Sequence, residues 1–170
     1  MTPAVIFDRD GTLNVDHGYV HKPADLTFVP GAPEAIAALN RRGILVIVAT
    51  NQAGVARGYY DEDAVARFHA HMQDALAAHS ARIDAFYYCP YHEDGVTETY
   101  RVANHPDRKP NPGMIIRAIS EWSIDPTRAV LIGDRDSDVA AAQAAGIRGV
   151  LYEGGALDVL VEAETRGWRT

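Results

Sequence analysis

The chain has 170 residues, 47% hydrophobic and 23% charged, which is enough for one packed core and is the make-up of an ordinary globular protein. Its formal net charge of -7 argues against nucleic acid or an acidic membrane as partner, so any anion site has to be assembled locally from backbone N–H groups and a few cations. The single cysteine excludes an internal disulfide framework; no basic leader opens the chain and no apolar run is long enough for a bilayer, so the expected location is the cytoplasm.

Ala4 to Phe7 is a short continuous apolar run ending in Asp8, as in a strand buried on both faces. Pro33 to Arg42 carries Ala35, Ile36, Ala38 and Leu39 at helical spacing, with Gly43 placed to close the helix. Ile44 to Ala49 predicts a second buried strand, followed by Thr50, Asn51 and Gln52. Asp61 to His79 repeats Val65, Phe68, Met72 and Leu76 on one helical face. On that helix His69, His71 and His79 are expected to be surface or packing residues. Ala85 to Tyr88 predicts a third strand, Gly113 to Trp122 a helix, and Ala129 to Ile132 a fourth strand ending in Gly133-Asp134. Ser137 to Ala145 reads as a helix and Gly149 to Tyr152 as a fifth strand. Trp168 either covers the core or is loosely held. The one long irregular segment expected is 90–111.

Strand alternating with helix implies a doubly wound, mainly parallel α/β sheet with helices on both faces, formed by residues 1–170 as a single domain. In such sheets ligands bind beyond the carboxyl ends of the strands. Asp8, Thr50 and Asp134 each follow an apolar strand, and Lys109 lies in the long loop. Two carboxylates, a hydroxyl and an ammonium brought to one sheet edge form a phosphoryl-transfer set. Magnesium takes a few carboxylates together with substrate oxygens. Asp8 is then the nucleophile and Asp10 the general acid and base, with Thr50 and Lys109 on the transferring phosphoryl group. Any one of these residues alone is more simply a cap, a turn residue or a solvated charge.

The runs Asp8-Arg9-Asp10-Gly11-Thr12, Thr50-Asn51-Gln52, Arg108-Lys109-Pro110 and Gly133-Asp134-Arg135-Asp136-Ser137-Asp138 resemble the four motifs of the haloacid dehalogenase superfamily of phosphatases. The resemblance implies a Rossmann-like fold, an aspartyl-phosphate intermediate and magnesium held by Asp8, the Asp10 backbone carbonyl and Asp134. It also implies that the large cap domain is absent, since both usual insertion points hold short segments.

Residues Asp16 to His21, Thr50 to Gly58 and Arg108 to Met114 resemble the D-glycero-D-manno-heptose 1,7-bisphosphate 7-phosphatases more specifically. That likeness implies a small phosphorylated sugar as substrate, met by Asp16, His17, Gly18 and Tyr19, by Thr50, Asn51, Gln52 and Ala53, and by Arg108, Lys109 and Arg135. It implies a role in nucleotide-heptose and lipopolysaccharide synthesis. Histidinol-phosphate or other sugar-phosphate phosphatases are the enzymatic alternative, and a catalytically silent binding module the non-enzymatic one. A silent module would be expected to lose Asp8, Asp10, Lys109 or Asp134, and all four are present. The family often carries zinc in the long loop. Here Cys89 matches the first ligand, Tyr91 replaces a histidine, and His105 and Asp107 stand where two cysteines would be. With His92, the zinc candidates are Cys89, His92, His105 and Asp107; the alternative is a loop held by packing and hydrogen bonds. No exposed heptad or apolar edge points to an oligomer, so a monomer is expected.

Overall fold

The structure is a computed structural model describing residues 1–169. Strand β1 (Thr2–Phe7) is fully buried from Pro3 onward, because its side chains meet apolar layers on both faces. It pairs in parallel with β2 (Leu45–Asn51) on one side and β4 (Ile124–Gly133) on the other. Strands β3 (Ala85–Cys89) and β5 (Arg148–Leu151) complete an all-parallel sheet of order β3-β2-β1-β4-β5. The chain leaves β1 toward β2 and β3, then returns past it to β4 and β5. The switch point therefore lies between β1 and β4, where a crevice opens beyond the strand ends.

Side-chain alternation splits the core in two. Val5, Phe7, Val46, Val48, Val130 and Ile132 face α1 (Ala32–Arg41), α3 (Glu62–Ala77) and α6 (Leu157–Glu164). Ala4, Ile6, Ile47, Ala49 and Leu131 face α4 (Gly113–Glu121) and α5 (Asp136–Ala144). The remaining helix, α2 (Ala53–Ala56), is a single turn just beyond the end of β2. Local signals set the helix ends. The Asp61 carboxylate accepts the Ala64 N–H at 2.8 Å to cap α3, and Gly43, at φ 70°, takes the left-handed turn after α1.

Several features depart from the sequence reading. Helix α6 was not expected, although Leu157 and Val161 are buried in the core and the Leu157 N–H donates to Pro30 O at 2.9 Å. Strand β4 begins at Ile124, before the first expected residue, and reaches Ala129 through a register shift against β1. Segment 90–111 is not the one long irregular stretch, because 8–31 holds only a 3-10 turn, Pro23–Asp25, and isolated bridges. Both segments leave carboxyl ends of strands, and neither carries a cap domain. Trp168 packs half-buried against the first core. Among the described residues no helix is long and apolar enough to cross a membrane.

Candidate active site

Asp8 follows β1 directly, and its N–H donates to Ile132 O at 3.0 Å, which ties it to the end of β4. Its Oδ1 lies 2.8 Å from Lys109 Nζ, and the same ammonium reaches Asp138 Oδ1 at 2.6 Å and donates to Ala49 O at 2.7 Å. Lys109, from loop 90–111, is 4% exposed and so spans the ends of β1, β2 and α5. Its backbone is held by Asn51, whose Nδ2 donates to Lys109 O and whose Oδ1 accepts from Lys109 N, both at 3.0 Å. Asn51 thus latches the loop to β2.

Asp134 follows β4, and Thr12 Oγ1 donates to its carboxylate at 3.4 Å. Asp138, in the first turn of α5, accepts the Arg135 N–H at 3.0 Å. Asp8, Asp134 and Asp138 bring ligand oxygens within 4.8 Å of one another, the one such group of three among the described residues. Three carboxylates beside one ammonium leave a charge of minus two, which suits a divalent cation with oxygen ligands. Burial pushes the Asp8 carboxyl up to about 7, with Lys109 pulling it down and Asp138 adding to the rise. Burial lowers Lys109, but Asp8 and Asp138 outweigh it and hold the ammonium above the ordinary lysine value. Gly11, at φ 84°, passes so close to Asp134 that a Cβ would strike the carboxylate.

The Asp10 carboxylate is enclosed by donors. Arg9 Nε and NH2 reach its two oxygens at 2.9 Å each, Asn14 Nδ2 donates at 3.0 Å and Gln52 Nε2 at 3.1 Å. Gln52 Nε2 also donates to Thr50 Oγ1 at 2.9 Å, and Tyr60 OH donates to Gln52 Oε1 at 2.6 Å. His69 is no surface residue. It is 6% exposed, stacks on Phe86 with ring centroids 4.2 Å apart, and places Nε2 3.2 Å from Arg9 NH1. A guanidinium only donates, so Nε2 accepts and the proton sits on Nδ1. Burial first, then Arg9, lowers its pKa to about 3.

These groups line a cleft of about 560 Å³. Of the residues expected to meet substrate, Asp16, Gly18, Tyr19, Thr50 to Ala53, Arg108, Lys109 and Arg135 line it. His17 is exposed and is not in the lining. Asp16 accepts the Gly18 N–H at 2.8 Å and lies 3.7 Å from Arg135, while Tyr19 sits at φ 50° with its ring edge-on to Tyr59. The lining also includes Arg57, Tyr60 and His92. Arg57 Nε and Arg108 NH1 have no hydrogen-bond partner among the described residues. Burial, with the Arg57 and Arg135 charges nearby, holds the Arg108 guanidinium below its ordinary value. The mouth of the cleft is thus a cluster of cations in an acidic protein.

The expected zinc set does not assemble. Cys89 is buried at the end of β3, and burial pushes its thiol up. The His105 ring stacks on Tyr91 at 4.2 Å and its Nδ1 accepts the Asp107 N–H at 3.0 Å; Asp107 pairs with Arg117 at 2.9 Å. His92 Nδ1 accepts the Asp94 N–H at 3.0 Å. His92, His105 and Asp107 each have other partners, and stacking with hydrogen bonds ties the loop. Sequence reasoning also missed Arg9, Asn14, Arg57 and Tyr60. Arg9 left a usable signal, a long cation joined directly to the end of an apolar strand.

A HAD-hydrolase-like family model matches residues 107–166. A D-glycero-beta-D-manno-heptose-1,7-bisphosphate 7-phosphatase of Rhodopseudomonas palustris is 46% identical over 160 residues, covering 94% of this chain and 88% of the relative. The enzyme of that name from Pasteurella multocida is 41% identical over 87% of this chain and 79% of its own. A crystal structure of D,D-heptose 1,7-bisphosphate phosphatase from B. bronchiseptica, complexed with magnesium and phosphate, superposes with a TM-score of 0.79 at 31% identity, covering 99% of this chain and 91% of the other. With Asp8, Lys109 and the acidic group gathered beyond the strand ends and likeness running along nearly the whole chain, this protein belongs to the D-glycero-D-manno-heptose-1,7-bisphosphate 7-phosphatase family of HAD-like hydrolases.

Proposed function

We propose that the protein hydrolyses the 7-phosphate of D-glycero-D-manno-heptose 1,7-bisphosphate through a phosphoryl-Asp8 intermediate, as a single domain acting in the cytoplasm. The observation that carries this reading is Asp8 at the head of the cleft, 2.8 Å from Lys109 and grouped with Asp134 and Asp138. Asp8, Asp134 and the Asp10 backbone carbonyl would hold Mg²⁺, with Asp138 adding an oxygen nearby. The bound ion supplies positive charge that offsets repulsion between the carboxylate and an incoming phosphate.

An Asp8 oxygen attacks phosphorus as the P–O7 bond breaks, and Asp10 hands its proton to the departing sugar oxygen. Asp10, now a carboxylate, takes a proton from the water that cleaves the acyl phosphate and returns Asp8. Lys109 and the Thr50 hydroxyl hold the transferring oxygens. Arg108 and Arg135, joined by Arg57, favour a substrate whose second phosphate lies at the cleft mouth, since guanidinium forks match phosphate oxygens.

Steady-state kinetics on the two anomers of heptose 1,7-bisphosphate, heptose 7-phosphate and histidinol phosphate test this. With magnesium present, a bisphosphate should give the highest kcat/KM, at least ~10-fold above the monophosphate, because one charged hydrogen bond is worth about 1.5–3 kcal/mol. Faster turnover of histidinol phosphate would overturn the substrate, and undiminished turnover by Asp8→Asn the mechanism.

A further inference from the structure

We infer that Arg9 is the positioning residue for Asp10, its guanidinium fork fixing the plane in which Asp10 exchanges protons with the substrate. Arg9 is 0% exposed, so its charge is desolvated, a costly placement unless its nitrogens are bonded. All of them are. Nε and NH2 grip the two Asp10 oxygens at 2.9 Å, NH2 also reaches Val20 O at 2.7 Å and Gln52 Oε1 at 3.3 Å, and NH1 meets His69 Nε2 at 3.2 Å. The guanidinium lies 4.5 Å over the Phe68 ring.

These bonds leave the fork one orientation, and a bidentate fork transmits that orientation to the carboxylate. Asn14 and Gln52 then touch one oxygen each, so both Asp10 oxygens are placed from more than one direction. Arg9 is too deeply buried to meet substrate and therefore acts through Asp10. A buried arginine serving only stability could pair with any acid of the core; this one is paired with the neighbouring residue that lines the cleft.

This inference rests on Asp10 being the acid and base, and a comparison of leaving groups separates the two claims. A sugar alkoxide needs a proton to depart, whereas the phenolate of p-nitrophenyl phosphate does not. Misplacing a general acid should therefore lower kcat/KM for heptose 1,7-bisphosphate and largely spare the aryl ester. For Arg9→Met the expected losses are about 10²-fold and under ~3-fold respectively, within the range a general acid contributes. Arg9→Lys, which keeps the charge and loses the fork, should show the same split at smaller amplitude. Circular dichroism checks folding, and Arg9→Lys decides the matter if Arg9→Met does not fold. Equal losses on both substrates, or no loss on either, would overturn the positioning role. If Asp10→Asn itself shows no split, the acid/base reading fails and the inference fails with it.

Discussion

Two residues carry more of the site than their chemistry suggests. Gly11 has no side chain, yet it sets how closely the Asp8–Asp10 turn approaches Asp134. Gly11→Ala combines a left-handed backbone with a clash against a carboxylate, so it should destabilise the fold by more than about 1 kcal/mol. It should also weaken magnesium activation, read as a raised magnesium concentration for half-maximal turnover. Asn51 makes two 3.0 Å bonds to the Lys109 backbone. Asn51→Ala frees the lysine from β2, and we expect kcat/KM to fall by about 10²-fold, as small misplacements of a positioned group do. An unchanged kcat/KM would mean that Lys109 is held adequately by Asp8, Asp138 and Ala49 alone.

At the scale of elements, burial on both faces made β1, β2 and β4 legible, since a short continuous apolar run ending in a polar residue is too brief for a helix and suits a strand covered on both sides. Helix α6 was not legible. Its Leu157, Leu160 and Val161 do fall at helical spacing, but the element is only eight residues long, and so short a helix depends on tertiary packing against the core. Leu157→Ala should cost about 2–5 kcal/mol, measurable as a lower urea midpoint, because the side chain is fully buried beneath α1. The four zinc candidates do not come together in this structure, and the alternative, a loop held by packing and hydrogen bonds, fits the contacts better. Donor residue types at suggestive spacing do not say where rings turn, and His105 turns onto Tyr91. Metal analysis of protein purified without added zinc should find none in stoichiometric amount, and a zinc chelator should leave the melting temperature unchanged.

For the molecule as a whole, His69 ties stability to acidity. Its pKa is about 3 when folded and 6.5 ordinarily, so between those values the unfolded chain holds a proton that the folded chain lacks. Stability should therefore fall as pH drops from about 6.5 toward 3, by up to about 1.4 kcal/mol per pH unit from this group. His69→Gln keeps an acceptor for Arg9 but cannot titrate, so its stability should fall less steeply over that window. Parallel denaturant titrations near pH 7 and pH 5 make the comparison. Asp8, Thr50 and Asp134 were readable as candidates because each lies at or just after the end of an apolar strand, while Asn14 and Tyr60 were not, since they matter only through contacts to Asp10 and Gln52.

The order in which the sheet is wired has a temporal consequence. Asp8 and Lys109 meet across 101 positions of sequence, and Asp134 arrives still later, with β4 beside β1. Parallel pairing over such separations closes slowly, because chain entropy is lost before contacts are gained. During synthesis or refolding, helices can form and β1–β2 can pair while the chain still turns nothing over. Recovered activity should lag behind recovered ellipticity, which makes turnover a clock for the last strand to dock.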